Sequence, residues 1–330
     1  MAVNSRRDSR LIHEADEANL LSSCGLSAAD MLASGTEAHV YALDANRLLK
    51  IYAGAEQLKA LENLRKFYAS IDRPRLAVTL PHIALPYIEE ITLAGTVVGV
   101  IETRLPGVPM EQFVEARPAE IERIYIEVTL SLQAIHLAAP ITGFRLFPDP
   151  ARDPDLARDE TSATDWTQFV SAMTTDHLKR VSSLLSKDVV NFEMKVTRLL
   201  SMFSSAYEGK LALVHGDLCP ANILMSGGRV SAILDFGTFT MYGDPLFDLG
   251  TACGYFAMYS IDRREIRARL FEIAATYVEP EEISRAISYL LVAAFVTCDL
   301  YPEADLPVRQ TGHYRWAIDV LNDPHLWTKI

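Results

Sequence analysis

Cysteine is scarce in this sequence: Cys24, Cys219, Cys253 and Cys298 are widely scattered, with no C-x-x-C pair and no histidine-rich neighbourhood. A zinc ribbon and a disulfide scaffold are excluded, and a reducing cytoplasm is the expected compartment. Long apolar runs are missing too. The longest, "AISYLLVAAFVTC" at 286–298, is too short to span a bilayer and reads as a core helix. No apolar stretch follows the N-terminal arginines, so no signal peptide is expected. Basic charge is short as well, with 31 Lys and Arg against 43 Asp and Glu and a formal net charge of −12. Nucleic-acid binding, which needs a basic stripe, is therefore excluded. An acidic surface suits a cationic small molecule or serves solubility alone. Neither a G-x-x-x-x-G-K-[ST] loop nor a G-x-S-x-G elbow occurs, which removes the P-loop and serine-hydrolase classes.

What remains is a chain with 49% hydrophobic and 22% charged residues, as a packed protein requires. Its 330 residues suggest about two lobes of roughly 150 residues each. Val40–Leu43 and Leu48–Tyr52 read as strands of a hairpin, and 55–69 carries Leu58, Leu61, Leu64, Arg65 and Tyr68 at helical spacing. Three further strands are expected at about 76–79, 85–91 and 96–104. After "LPGVPM" (105–110) helical patterns dominate, at 118–138, 165–185, 188–206, 263–278 and 281–299, around a β-rich island at 211–236. The Pro- and Asp-rich stretch 144–165 reads as a loop. The expectation is an α+β fold of two lobes, residues 1–104 rich in strands and residues 105–330 mainly helical. It carries no membrane span, and no protein partner is implied.

Two polar runs interrupt that island. "LVHGDLCPANILM" places His215, Gly216, Asp217 and Asn222 between apolar flanks, and "VSAILDFGTF" runs from Ile233 and Leu234 into Asp235. Singly, each would be a turn residue. Asn222 lies five positions after Asp217, however, and Asp235 eighteen. That is the spacing of a kinase catalytic loop and its metal-binding Asp-Phe-Gly, with one Asp as base and an Asn and a second Asp on magnesium. Phosphoryl transfer needs these types. Hard cations must bridge the phosphate oxygens, and a carboxylate and an amide carbonyl supply the oxygen ligands that magnesium favours.

"HGDLCPAN", "ILDFG" and "GDPLFDLG" (243–250) together resemble the aminoglycoside phosphotransferase family, which includes choline-kinase-like small-molecule kinases. The resemblance covers about residues 33–255 and is strongest in the second half. It implies a protein-kinase-like fold that uses ATP, or GTP, with Mg. Asp217 would be the catalytic base, Asn222 and Asp235 the metal ligands, and His215 and Asp248 supports of the catalytic loop. Position 216 is Gly where protein kinases carry Arg, and Gly237 and Gly243 leave no room for a phosphorylated activation loop. Both departures favour a small-molecule acceptor. In the first lobe, Gly35 would sit in the phosphate-covering hairpin and Lys50 of "RLLKIY" on the α- and β-phosphates. Glu62 would pair with that lysine, with Glu56 as the alternative. Glu102, Thr103, Arg104 and Leu105 would form the hinge that meets adenine through backbone groups.

The leading acceptor implied is an aminoglycoside or similar antibiotic, hence a role in antibiotic resistance. Choline, a sugar or a homoserine-like metabolite is the alternative, and a nucleotide-binding regulatory protein without turnover is the reading of another class. Acids expected around a cationic acceptor are Asp153, Asp155, Asp159, Glu160 and Asp165 in one loop, and Asp299, Glu303 and Asp305 in another. His136 and Cys219 are expected to pack rather than to catalyse.

Overall fold

The structure, a computed structural model, describes residues 12–34, 38–138, 143–146, 163–301, 303 and 306–330. Alternation builds its first part. In β3 (Arg47–Ala53), Leu49, Ile51 and Ala53 turn to one face of the sheet, which leaves Leu48, Lys50 and Tyr52 on the other. The former face packs with Tyr41, Val97 and the helix α1 (Glu14–Ser23) through Leu20 and Leu21. Strands β1 (Met31–Ser34), β2 (Ala38–Ala42), β3, β4 (Ile88–Ala94) and β5 (Val97–Thr103) form an antiparallel sheet in the order β1-β2-β3-β5-β4. On the opposite face lies α2 (Gln57–Ser70), whose buried residues are Leu61, Phe67 and Tyr68.

One expected strand is a helix. Residues 73–79 form α3 (Arg73–Thr79) because Asp72 caps it, accepting the Arg75 N–H at 3.1 Å, and a proline sits in the first turn. Local capping overrides the β-branched Val78 and Thr79.

The second part contains the strands β6 (Val108–Pro109), β7 (Ala212–Val214), β8 (Ile223–Ser226), β9 (Arg229–Ile233) and β10 (Met241–Gly243). Its helices are α4 (Glu111–Val114), α5 (Pro118–Ser131), α6 (Trp166–Leu185), α7 (Phe192–Ser201) and α8 (Leu246–Tyr255). They continue with α9 (Arg263–Ala274), α10 (Pro280–Thr297), α11 (Gly312–Leu321) and α12 (Pro324–Trp327). Helix α8 is buried along its whole length. It lies on α10 so closely that a Cβ at Gly250 would run into the carbonyl oxygen of Ala286. Asp244 fixes the start of α8 by accepting from Arg285 Nε at 2.7 Å and Tyr289 OH at 3.0 Å, and Trp166 Nε1 donates to Tyr289 at 2.8 Å. The α+β, two-part arrangement expected from the sequence is present. Among the described residues no helix is long and apolar enough to cross a membrane.

Candidate active site

The hairpin β8–β9 brings the two polar runs together. Ile223 pairs with Ile233, so the residues just outside the ladder, Asn222 and Leu234, become neighbours, and the Leu234 N–H donates to the Asn222 carbonyl at 2.8 Å. Strand β7 delivers His215, Gly216 and Asp217 beside them. Asp248 of α8, fully buried, accepts the N–H groups of His215 at 2.7 Å and Gly216 at 2.8 Å. Burial pushes its carboxyl up to about 7, against the pull of the two amides. His215 Nε2–H donates to the Leu234 carbonyl at 2.7 Å, while Nδ1 accepts from the Asp217 N–H at 3.2 Å. Both bonds need a neutral ring protonated on Nε2, and burial holds its pKa down to about 4. At Gly216 φ is +80°, and a Cβ would run into the carbonyl oxygen of Phe239. No arginine fits there.

The second run is anchored through Phe236. Its ring centroid lies 4.5 Å from that of His215, 5.4 Å from Phe67 and 6.2 Å from Tyr68, so an aromatic chain links α2 to the loop. Thr240 closes the turn behind it, accepting from Gly237 N–H at 2.9 Å and donating to the His215 carbonyl at 3.2 Å. β10 then pairs directly with β7.

The polar side chains converge in front of this frame. Asn222 Nδ2 donates to the Asp217 carbonyl at 2.9 Å, which leaves its amide oxygen without a partner among the described residues. Asp235 stands in a left-handed conformation, φ +57°, with its side chain 56% exposed. Lys50 Nζ lies 2.8 Å from Glu102 Oε1 and 3.4 Å from Asp235 Oδ1. Burial works against its charge, but the surrounding carboxylates more than restore it and hold the ammonium well above the usual lysine range. Among the described residues no three His, Cys, Asp or Glu side chains cluster as a metal cage. One carboxylate and one amide oxygen are what a magnesium ion shared with phosphates requires, so the donor set fits that ion.

A family model described as the phosphotransferase enzyme family, APH, matches residues 30–283. The chain belongs to that family. It is a small-molecule phosphotransferase enzyme. Among the curated proteins nothing matches. Solved APH-family structures share the fold at low identity. A thermostable mutant of aminoglycoside phosphotransferase APH(4)-Ia, in ternary complex with AMP-PNP and hygromycin B, is similar at TM-score 0.66 and 18% identity, covering 94% of this chain and 98% of that one. Macrolide 2'-phosphotransferase MphH from Brachybacterium faecium, an apoenzyme, matches at TM-score 0.50 and 17% identity, over 94% of this chain and 99% of that one. APH(3'')-Id from Streptomyces rimosus matches at TM-score 0.50 and 16% identity, over 86% and 98%.

Within this APH-family fold, Lys50, Asp217, Asn222 and Asp235 come from separate elements to one place, with His215 and Asp248 behind them. Two expectations need correction, the partner of Lys50 and the place of Asp165. The carboxylate on Lys50 belongs to Glu102, not to Glu62 or Glu56. Glu62 follows Leu61 and so lies about 100° round α2 from the buried face; it forms no ion pair among the described residues. In the hinge, Thr103 N–H is committed to the Tyr87 carbonyl at 3.0 Å and Arg104 N–H to Asn46 at 2.7 Å. The Leu105 N–H has no partner among the described residues. Finally, Asp165 caps α6, accepting from Thr167 and Gln168, rather than facing an acceptor. Gly35, Asp153, Asp155, Asp159, Glu160 and Asp305 lie outside the described residues. Cys219 is no nucleophile, because burial pushes its thiol up to about 12. Tyr259 packs against Gly312 beside Glu303, and burial, followed by the charges of Glu303 and Asp217, raises its hydroxyl pKa. An exposed tyrosine between helices carries no sequence signal.

Proposed function

We propose that this chain is an ATP- and magnesium-dependent kinase that transfers the γ-phosphoryl group to a hydroxyl of a small cationic antibiotic of the aminoglycoside kind, with GTP as the alternative donor. The observation that carries this reading is the Lys50–Asp235 contact of 3.4 Å, which joins the sheet to the segment that also holds Asn222 and Asp217. In this reading residues 1–104 hold the nucleotide and residues 105–330 supply catalysis and the acceptor site. The enzyme would act in the cytoplasm, where thiols stay reduced.

Lys50 neutralises the α- and β-phosphates. Asp235 and the amide oxygen of Asn222 would hold magnesium, which when bound would draw charge from the phosphoryl oxygens. Asp217 accepts the proton of the acceptor hydroxyl as its oxygen bonds to the γ-phosphorus and the β–γ bridging bond breaks, leaving the nucleoside diphosphate. His215 keeps the Asp217 backbone in place through Nδ1. The hygromycin B held by the APH(4)-Ia structure supports an aminoglycoside acceptor. So do Glu303 and Tyr259, which stand together at Gly312 as an anion and a ring suited to an ammonium group, with Tyr259 in the field of Asp217.

ATP consumption across a panel of aminoglycosides, macrolides, amino alcohols and sugars tests the reading. Magnesium-dependent turnover with an aminoglycoside is expected. Asp217→Asn should keep nucleotide affinity and lower turnover by about two to four orders of magnitude. Turnover confined to a neutral sugar would move the acceptor to the metabolite class, and near-normal turnover in Asp217→Asn would remove that residue as the base.

A further inference from the structure

Strand geometry places Glu102 where a helix acid was expected. Leu48, Lys50 and Tyr52 share one face of β3, and Val98, Val100 and Glu102 share the same face of the adjacent strand β5. Lys50 is opposite Val100 and Leu48 opposite Glu102, so lysine and glutamate are diagonal neighbours, within reach of a long side chain. The Glu102 side chain is 6% exposed and meets Lys50 Nζ at 2.8 Å. Helix α2, packed on this face, offers it Leu61, Phe67 and Tyr68, none of them acidic.

We propose that Glu102 on β5 is the positioning residue for the phosphate-binding lysine, so that the ion pair is assembled within the sheet itself and does not depend on where α2 sits. The inference rests on the kinase reading for the role of Lys50. Both partners stand on hydrogen-bonded neighbouring strands, so no movement of helix or lobe is needed to form the pair. Glu102, Lys50 and Asp235 are then consecutive links of one charge line. Without Glu102, the ammonium would turn to Asp235 and compete there with a cation.

The test measures adenosine, ADP and ATP affinities by calorimetry, without acceptor, for the wild type, Glu102→Gln, Glu62→Gln and Lys50→Ala. Glu102→Gln should weaken ATP and ADP roughly ten- to a hundred-fold, as loss of a partner that orients a metal ligand weakens metal binding. Adenosine affinity should stay unchanged, because the defect lies at the phosphates. In the Lys50→Ala background Glu102→Gln should add nothing, and Glu62→Gln should match the wild type. Adenosine affinity falling with that of ATP would overturn the proposal in favour of a general structural or adenine-binding role. A phosphate-specific loss in Glu62→Gln but not in Glu102→Gln would overturn it in favour of the helix. If Glu102→Gln does not fold, Glu102→Asp, one methylene shorter, carries the same expectation in smaller degree. A wild type that binds no nucleotide sinks the kinase reading itself, whereas one that binds ATP normally and is indifferent to Glu102 sinks only this inference.

Discussion

Gly216 is held at φ +80° with the carbonyl oxygen of Phe239 where a β-carbon would stand, so two separate penalties meet any substitution. A left-handed conformation costs a side-chain-bearing residue roughly 1–2 kcal/mol. Displacing packed backbone adds about 1–3 kcal/mol. Gly216→Ala should therefore lower the denaturant midpoint by the equivalent of both and move Asp217 out of line. An unchanged midpoint in chemical denaturation would show that the loop has more room than its geometry indicates. His177 on α6 is a different case. Its Nδ1 faces the Met173 carbonyl at 3.2 Å, and its buried Nε2 has no partner among the described residues. Burial lowers its pKa from 6.5 to about 3, so its neutral form contributes stability above pH 6.5 that is lost as pH falls towards 3. His177→Leu removes this loss. Relative to the wild type, the variant should gain about 2 kcal/mol between pH 7 and pH 5 in denaturation experiments. A parallel pH dependence of the two proteins would exclude His177 as an acid-sensitive group.

At the scale of the element, the loop 215–222 rests on two buried groups with opposite proton linkage. Asp248, raised from 3.8 to about 7, stabilises most at low pH and loses that contribution as pH rises through 7. His215, lowered from 6.5 to about 4, does the reverse and loses its contribution as pH falls through 4. Between about pH 4 and 6.5 the two slopes oppose each other. Asp248→Asn should expose the histidine slope, so that stability falls with acid faster than in the wild type. His215→Gln should expose the aspartate slope and gain stability over the same range. Thermal denaturation across pH 4–7 checks both signs, and slopes of the same sign would show that the two groups do not titrate as a balanced pair. The residues of this loop were legible in the sequence because their chemistry fixes both type and spacing within one short segment. Strands β2, β3 and β5 were legible for a related reason, since alternation is local. Helix α8 was not: it is buried on every side and so shows no polar stripe to set a helical period. Helix α3 was read as a strand because Asp72 capping outweighs the residues that follow it. Glu102 escaped for want of any local signature. Its partner lies on another strand, and only the register of β3 against β5 brings the two together.

Across the whole molecule, 43 acidic residues against 31 basic ones leave a formal net charge of −12, and this field acts on the two proposed substrates with opposite sign. A magnesium–nucleotide complex is an anion and approaches against the field, helped only locally by Lys50. A polycationic acceptor is drawn in, towards Glu303 and the surrounding acidic surface. Salt screens both effects beyond about 8–10 Å at physiological strength and within shorter distances above it. The expected result is a divergence. Raising ionic strength should lower kcat/KM for an aminoglycoside, by up to about tenfold, and leave kcat/KM for the nucleotide unchanged or improved. Turnover at saturation should barely move, because the screened interactions act equally on ground and transition states. Glu303→Gln should reproduce part of the salt effect on the acceptor and none of it on the nucleotide. Its carboxylate also accepts the N–H of Gly312 at the start of α11, so thermal stability must be followed alongside to separate a charge effect from a capping one. If KM for the best acceptor proved indifferent both to salt and to Glu303→Gln, the acidic surface would serve solubility alone. A neutral hydroxyl compound would then be the better account of what the site receives.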